Sequence, residues 1–128
     1  MNQVSSIESD EEDVHYLCRR TFVLTIKDAL NVVSGKWKLA IVCTLLSGPK
    51  GFAEIERLLG TISPRMLTRE LRELEVNGVI LRQTDPTQAT KAQKYALTPS
   101  GQGLEQVITM MANWGLEHRK LSGNTSTL

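Results

Sequence analysis

Cysteine is scarce. Cys18 and Cys43 are the two thiols among 128 residues, too few for the disulfide framework of a small secreted domain. Neither has the ligand company that a metal site needs, so no cofactor or metal is expected. Long apolar runs are missing too, and nothing approaches the ~20 residues of a membrane span. The chain does not open with a basic leader followed by an apolar stretch, which makes the cytoplasm the expected compartment and a membrane an unexpected partner. It also lacks a nucleophile paired with a base. His15 and His118 stand near opposite ends and read as surface residues, so enzymatic chemistry is not expected.

Acidic residues thin out after an early cluster. Glu8, Asp10, Glu11, Glu12 and Asp13 hold five of the fourteen acids, and all fifteen Lys and Arg follow them. A net charge of +1 therefore hides an acidic arm in front of a modestly basic body, the balance of a phosphate-binding surface. Residues 1–13 have almost nothing apolar to bury and read as a disordered acidic arm. The rest fits one domain over 14–121, with a flexible Ser, Gly, Asn and Thr tail over 122–128.

Apolar residues at Val23, Ile26, Leu30 and Val33 predict an amphipathic helix. Ser34 is placed to cap a second helix, whose residues Trp37, Leu39, Ala40, Ile41, Val42, Leu45 and Leu46 are apolar nearly all round, as in a central helix. Cys43 falls within it and reads as a small buried thiol. Gly48-Pro49 ends that helix, and Phe52, Ile55, Leu58 and Leu59 mark a short third one. After the turn Gly60-Thr61-Ile62, Ser63-Pro64 signals a new start, because a Ser hydroxyl can accept an orphan N–H and proline suits the first helical position. This fourth helix runs to about Val76 on a core stripe of Leu67, Leu71 and Leu74. Val79–Thr84 and Lys94–Thr98 read as two strands of a hairpin. Thr98-Pro99 then opens a last helix with Leu104, Val107, Ile108, Met111 and Trp114 on one face.

Short helix, tight turn, helix, hairpin: this order over 51–98 defines a mainly α fold with a small β-hairpin, the winged helix-turn-helix. In such a unit the second helix of the pair enters the major groove and the hairpin reaches neighbouring backbone. Ser63, Pro64, Arg65, Thr68, Arg69 and Arg72 occupy the corresponding places, and the leucine stripe leaves Arg65, Thr68, Arg69 and Arg72 on the opposite face. Double-stranded DNA is the expected partner. A lone arginine there would more often be solvated and paired with Glu70 or Glu73, but three on one face behind a capped start favour DNA. Lys91 and Lys94 sit near the hairpin tip, where phosphate contact and plain solvation are nearly balanced readings.

The chain resembles the HxlR-type bacterial regulators, winged-helix proteins related in fold to the MarR group. Ser34-Gly35-Lys36-Trp37 looks like the family's Gly-Gly-Lys-Trp opening, and Phe52-Ala53-Glu54-Ile55 resembles its Phe-x-Glu-Leu pattern. The run from Ile62 through Ser63-Pro64-Arg65-Met66-Leu67 to Leu74 is similar to its recognition helix, and Tyr95-Ala96-Leu97-Thr98 with Gly101 to the end of its wing. The resemblance implies a homodimer on a near-palindromic operator, with the first and last helices of two subunits packed together. Many relatives carry a cysteine thirteen residues before the tryptophan, and in several of them its thiol senses oxidants or electrophiles. That place holds Leu24 here, and Cys18, six residues earlier and near His15, Arg19 and Arg20, is the redox candidate. The resemblance points to no particular effector.

The stripe on the last helix is longer than one small core needs, which points to a dimer face built from Val23, Ile26, Leu30, Val107, Met111 and Trp114. The simpler alternative is that the last helix closes its own subunit. An alternative for the whole chain is a winged-helix module for protein contact, since fold does not dictate function. The grouping of Arg65, Arg69 and Arg72 argues against it.

Overall fold

The computed structural model describes residues 21–84, 87 and 93–123. The expected acidic arm, residues 124–128 of the expected tail, Cys18 and Lys91 lie outside the described residues. The chain divides after Ser34 into two compact units.

The first unit contributes helix α1, Thr21–Val33, closed by the Ser34 N–H donating to the Leu30 carbonyl. None of its residues is buried, and Val23, Leu24, Ile26 and Leu30 are about half exposed or more.

The second unit is organised around α2, Lys38–Leu45, which packs against α3 (Phe52–Leu59), α4 (Pro64–Val76), the second hairpin strand and the last helix. Two expectations for α2 are corrected. Ser34 does not cap it, because the helix starts later: the capping position falls on Trp37, without a side-chain cap, and Gly35 intervenes at a φ of 103°. Nor is Cys43 buried. The buried positions Lys38, Ile41, Val42 and Leu45 repeat at helical spacing, and Cys43 is rotated off that stripe into solvent.

Gly60, at a φ of 83°, supplies the left-handed turn between α3 and α4 that a residue with a Cβ rarely adopts. Strands β1 (Ile80–Thr84) and β2 (Gln93–Leu97) pair antiparallel, with Ile80 opposite Leu97 and Thr84 opposite Gln93. Each lies within a residue of its expected span. Lys50 adds a bridge that the sequence pattern does not signal, exchanging both backbone hydrogen bonds with Tyr95 at 3.0 and 2.8 Å.

The last helix is divided. Thr98 caps the short α5, Pro99–Gln102, by accepting the Gly101 N–H at 3.1 Å, and α6 runs from Leu104 to Leu121 beyond Gly103. The core consists of Ile41, Val42, Leu45, Ile55, Ile62, Leu67, Leu71, Leu74, Val79, Ile80 and Ala96. Each of its large side chains contributes about 1.5–3 kcal/mol by leaving water. The leucine stripe of α4 is thus anchored, and its opposite face is fixed in solvent.

Candidate nucleic-acid interface

Helix α4 begins as its sequence demands. The Ser63 Oγ accepts the Met66 N–H at 3.1 Å, and Pro64 occupies the first turn, where its missing N–H costs nothing. Leu67, Glu70, Leu71 and Leu74 face inward, while Ser63, Pro64, Arg65, Thr68, Arg69 and Arg72 are all exposed. The expected outward face is therefore present as one surface. Thr68, itself exposed, turns its hydroxyl back to donate to the Pro64 carbonyl at 2.9 Å.

The three arginines differ in their surroundings. Among the described residues, Arg65 and Arg72 make no ion pair or side-chain hydrogen bond. Arg69 lies 3.5 Å from Glu73 and 3.9 Å from Glu70, yet its side chain remains 66% exposed. Such a screened pair is worth little and can be exchanged for phosphate.

Sequence reasoning treats Glu70 as a surface neighbour of the arginines, whereas the structure buries it. Lys38 crosses from α2 to donate to Glu70 at 2.9 Å and to Glu73 at 2.6 Å. A lysine within an apolar helix and a glutamate at the i+3 step of a leucine stripe were the available signals. Burial pulls the Lys38 pKa down, but hydrogen bonds and charges from Glu73 and Glu70 outweigh it and raise it above the ordinary lysine value. The hydrogen bond from Lys38, then its charge, holds Glu73 below the ordinary glutamate range, and Arg69 adds to the effect.

A second unforeseen tie joins the recognition helix to the wing. Arg82 of β1 meets Glu75 near the end of α4 at 3.1 Å, and its guanidinium also reaches Gln93 of β2 at 3.4 Å. Lys94 is exposed, paired in register with Gln83 one step from the last described pair of the hairpin. With Pro49, Gln83 and Thr84 it lines a cleft at the wing.

Helix α6 buries no residue along its eighteen, and Val107, Met110, Met111, Trp114 and Leu116 are exposed by 44 to 69%. Trp114 stacks on His118 with ring centroids 4.8 Å apart. Among the described residues no group of three or more His, Cys, Asp or Glu is placed to hold a metal ion, and no helix is long and apolar enough to cross a membrane.

A capped helix with an outward basic face, a tight glycine turn before it and a two-stranded wing after it define a winged helix-turn-helix transcriptional regulator. The chain belongs to the HxlR-like helix-turn-helix family, whose model matches residues 32–122. It is 36% identical over 108 residues to the HTH-type transcriptional regulator YtcD of Bacillus subtilis, spanning 84% of this chain and 85% of that protein. An HTH-type regulator of Methanothermobacter thermautotrophicus is 37% identical over 117 residues, 89% of this chain and 84% of its own. Among solved structures, the redox regulator HypR in its reduced form superposes with a TM-score of 0.70 at 34% identity, covering 77% of this chain and 97% of that one. The reduced transcriptional regulator YodB of B. subtilis gives 0.65 at 33% identity, covering 70% and 87%. The protein is accordingly a DNA-binding transcriptional regulator and not an enzyme.

Proposed function

We propose that the protein acts in the cytoplasm as a homodimer that recognises a near-palindromic operator, with Arg65 and Arg69 reading base edges and Arg72 and Lys94 gripping phosphate. The observation that carries this reading is the pairing of an outward arginine face on α4 with an 18-residue helix α6 none of whose residues is buried. Large apolar faces on a lone soluble chain are uncommon. Covering Val107, Met111 and Trp114, and separately Val23, Ile26 and Leu30 of α1, with a second copy gives an isologous contact. Two recognition helices then meet successive major grooves, about 34 to 36 Å apart.

Arg65→Ala and Arg69→Ala should each weaken binding to the chain's own upstream DNA by about tenfold or more, since a good bidentate base contact is worth about 1–3 kcal/mol. Lys94→Ala should instead weaken all DNA alike and flatten the salt dependence by about one phosphate contact per subunit. Unchanged operator affinity in both arginine variants contradicts the reading.

A thiol response is the second part of the proposal. HypR is described as a redox regulator, and YodB has been solved in quinone-bound and diamide-treated forms. Cys18, followed by Arg19 and Arg20, is the residue we assign to that role.

A further inference from the structure

The recognition helix carries no net charge of its own, because Arg65, Arg69 and Arg72 are matched by Glu70, Glu73 and Glu75. A neutral helix is a poor tool for gripping a polyanion. The structure answers its carboxylates with cations from elsewhere: Arg82 of β1 takes Glu75, and Lys38 of α2 takes both Glu70 and Glu73. Lys38 and Arg69 are the two cations paired with Glu70 and Glu73 among the described residues. They compete unequally. Lys38 lies 2.6 Å from one oxygen of Glu73 with its side chain 9% exposed, whereas Arg69 stands 3.5 Å from the other with its side chain 66% exposed.

We propose that Lys38 is a positioning residue for DNA binding: by neutralising Glu70 and Glu73 from inside the fold, it leaves Arg69 free to exchange its weak pair for DNA. Without Lys38, Arg69 becomes the remaining counter-ion for two carboxylates at the base of its own turn. Pulled onto them, it is withdrawn from the groove. The inference rests on the reading that α4 enters DNA, and it adds a residue from another helix, with no DNA contact of its own, that controls how many cations α4 presents.

The test uses the full chain with a duplex of its own upstream DNA and a scrambled duplex of equal length, read as the two affinities at one salt concentration. Lys38→Met with Glu70→Gln removes the buried ion pair as a unit, so that no buried charge is stranded, and leaves Glu73 to capture Arg69. Its affinity for the upstream duplex and its preference for that duplex over the scrambled one should both fall about tenfold, the worth of one lost base-edge contact. Adding Glu73→Gln should restore both, although it restores no contact within the fold. A parent-like preference in the double variant, or no recovery in the triple, overturns the proposal while leaving the DNA-binding reading intact. A parent chain that does not prefer its upstream DNA overturns both.

Should the double variant melt below the assay temperature, Glu73→Gln alone decides, because Glu73 is 44% exposed and its loss leaves the Lys38–Glu70 pair in place. It should tighten binding about two- to fivefold, the worth of an exposed ion pair. That gain should vanish in an Arg69→Ala background. An equal gain in both backgrounds, or none in either, overturns the role assigned to Lys38.

Discussion

Gly101→Ala adds one methyl group at the junction between wing and last helices, and its cost can be worked from the geometry. A Cβ at Gly101 would lie 2.3 Å from the Val79 carbonyl oxygen, 3.3 Å from its carbon and 3.1 Å from the Leu97 Cδ2. The first distance is short of ordinary contact by about 1 Å, and the obstacle is backbone that cannot rotate away. That carbonyl also accepts the Thr98 N–H at 3.0 Å, and the Thr98 hydroxyl caps α5, so relief by movement strains the register that joins β1 to the start of α5. Overpacking costs about 1–3 kcal/mol, and a weakened hydrogen bond adds roughly 0.5–1.5. Alanine returns about 1 kcal/mol through helix propensity. The net loss is about 1–3 kcal/mol, and with roughly 4–8 °C per kcal/mol for a unit of this size the Tm should fall by about 10 °C. Circular dichroism melts at matched protein concentration measure this, matching being necessary because association shifts Tm. An unchanged or raised Tm would refute the close-approach argument.

Trp114→Glu should convert the chain to monomers and lose operator affinity together, because it places an unpaired carboxylate in the proposed dimer face; sedimentation equilibrium reads it, and a wild-type monomer at micromolar concentration ends the dimer proposal. Glu73, held below its ordinary pKa in the folded chain, contributes stability that is complete above the unfolded value of about 4.3 and is lost as pH falls through the lower folded value. The Tm advantage of the parent over Glu73→Gln should therefore hold at about pH 6 and shrink below about pH 4; a gap independent of pH contradicts the Lys38–Glu73 pairing. Cys18→Ser should abolish any effect of oxidant on DNA binding, and a full response persisting in that variant assigns the sensing elsewhere.

The parts of the fold legible in the sequence are those set by local rules. Ser63-Pro64 marks the start of α4 because cap and proline chemistry act within one turn, and Leu67, Leu71 and Leu74 reveal its buried face because helical periodicity is a one-helix property. The outward set Arg65, Thr68, Arg69 and Arg72 follows by subtraction. What escaped depends on partners distant in the chain. Lys38 and Glu70 are 32 residues apart, and each alone reads as a charge to be kept in water. The Lys50–Tyr95 bridge joins a loop to a strand 45 residues on through backbone groups that every sequence shares. The exposure of Cys43 is illegible for a related reason: an apolar segment without strong amphipathicity does not say which side meets its neighbours, and only the packing of α2 against α3 and α4 decides it. The break at Gly103 was hidden because the capping Thr98-Pro99 signal correctly opens a helix but carries no information about its length.

The central claim is that a two-fold pair of α4 helices reads a specific operator. Its most direct test is a titration of labelled upstream DNA against a scrambled duplex of equal length and composition at one fixed salt concentration, with the stoichiometry of the complex measured by sedimentation. Two chains per duplex and a preference of about a thousandfold or more for the upstream sequence are expected. Equal affinity for the two duplexes, or a single chain on the specific one, would contradict it.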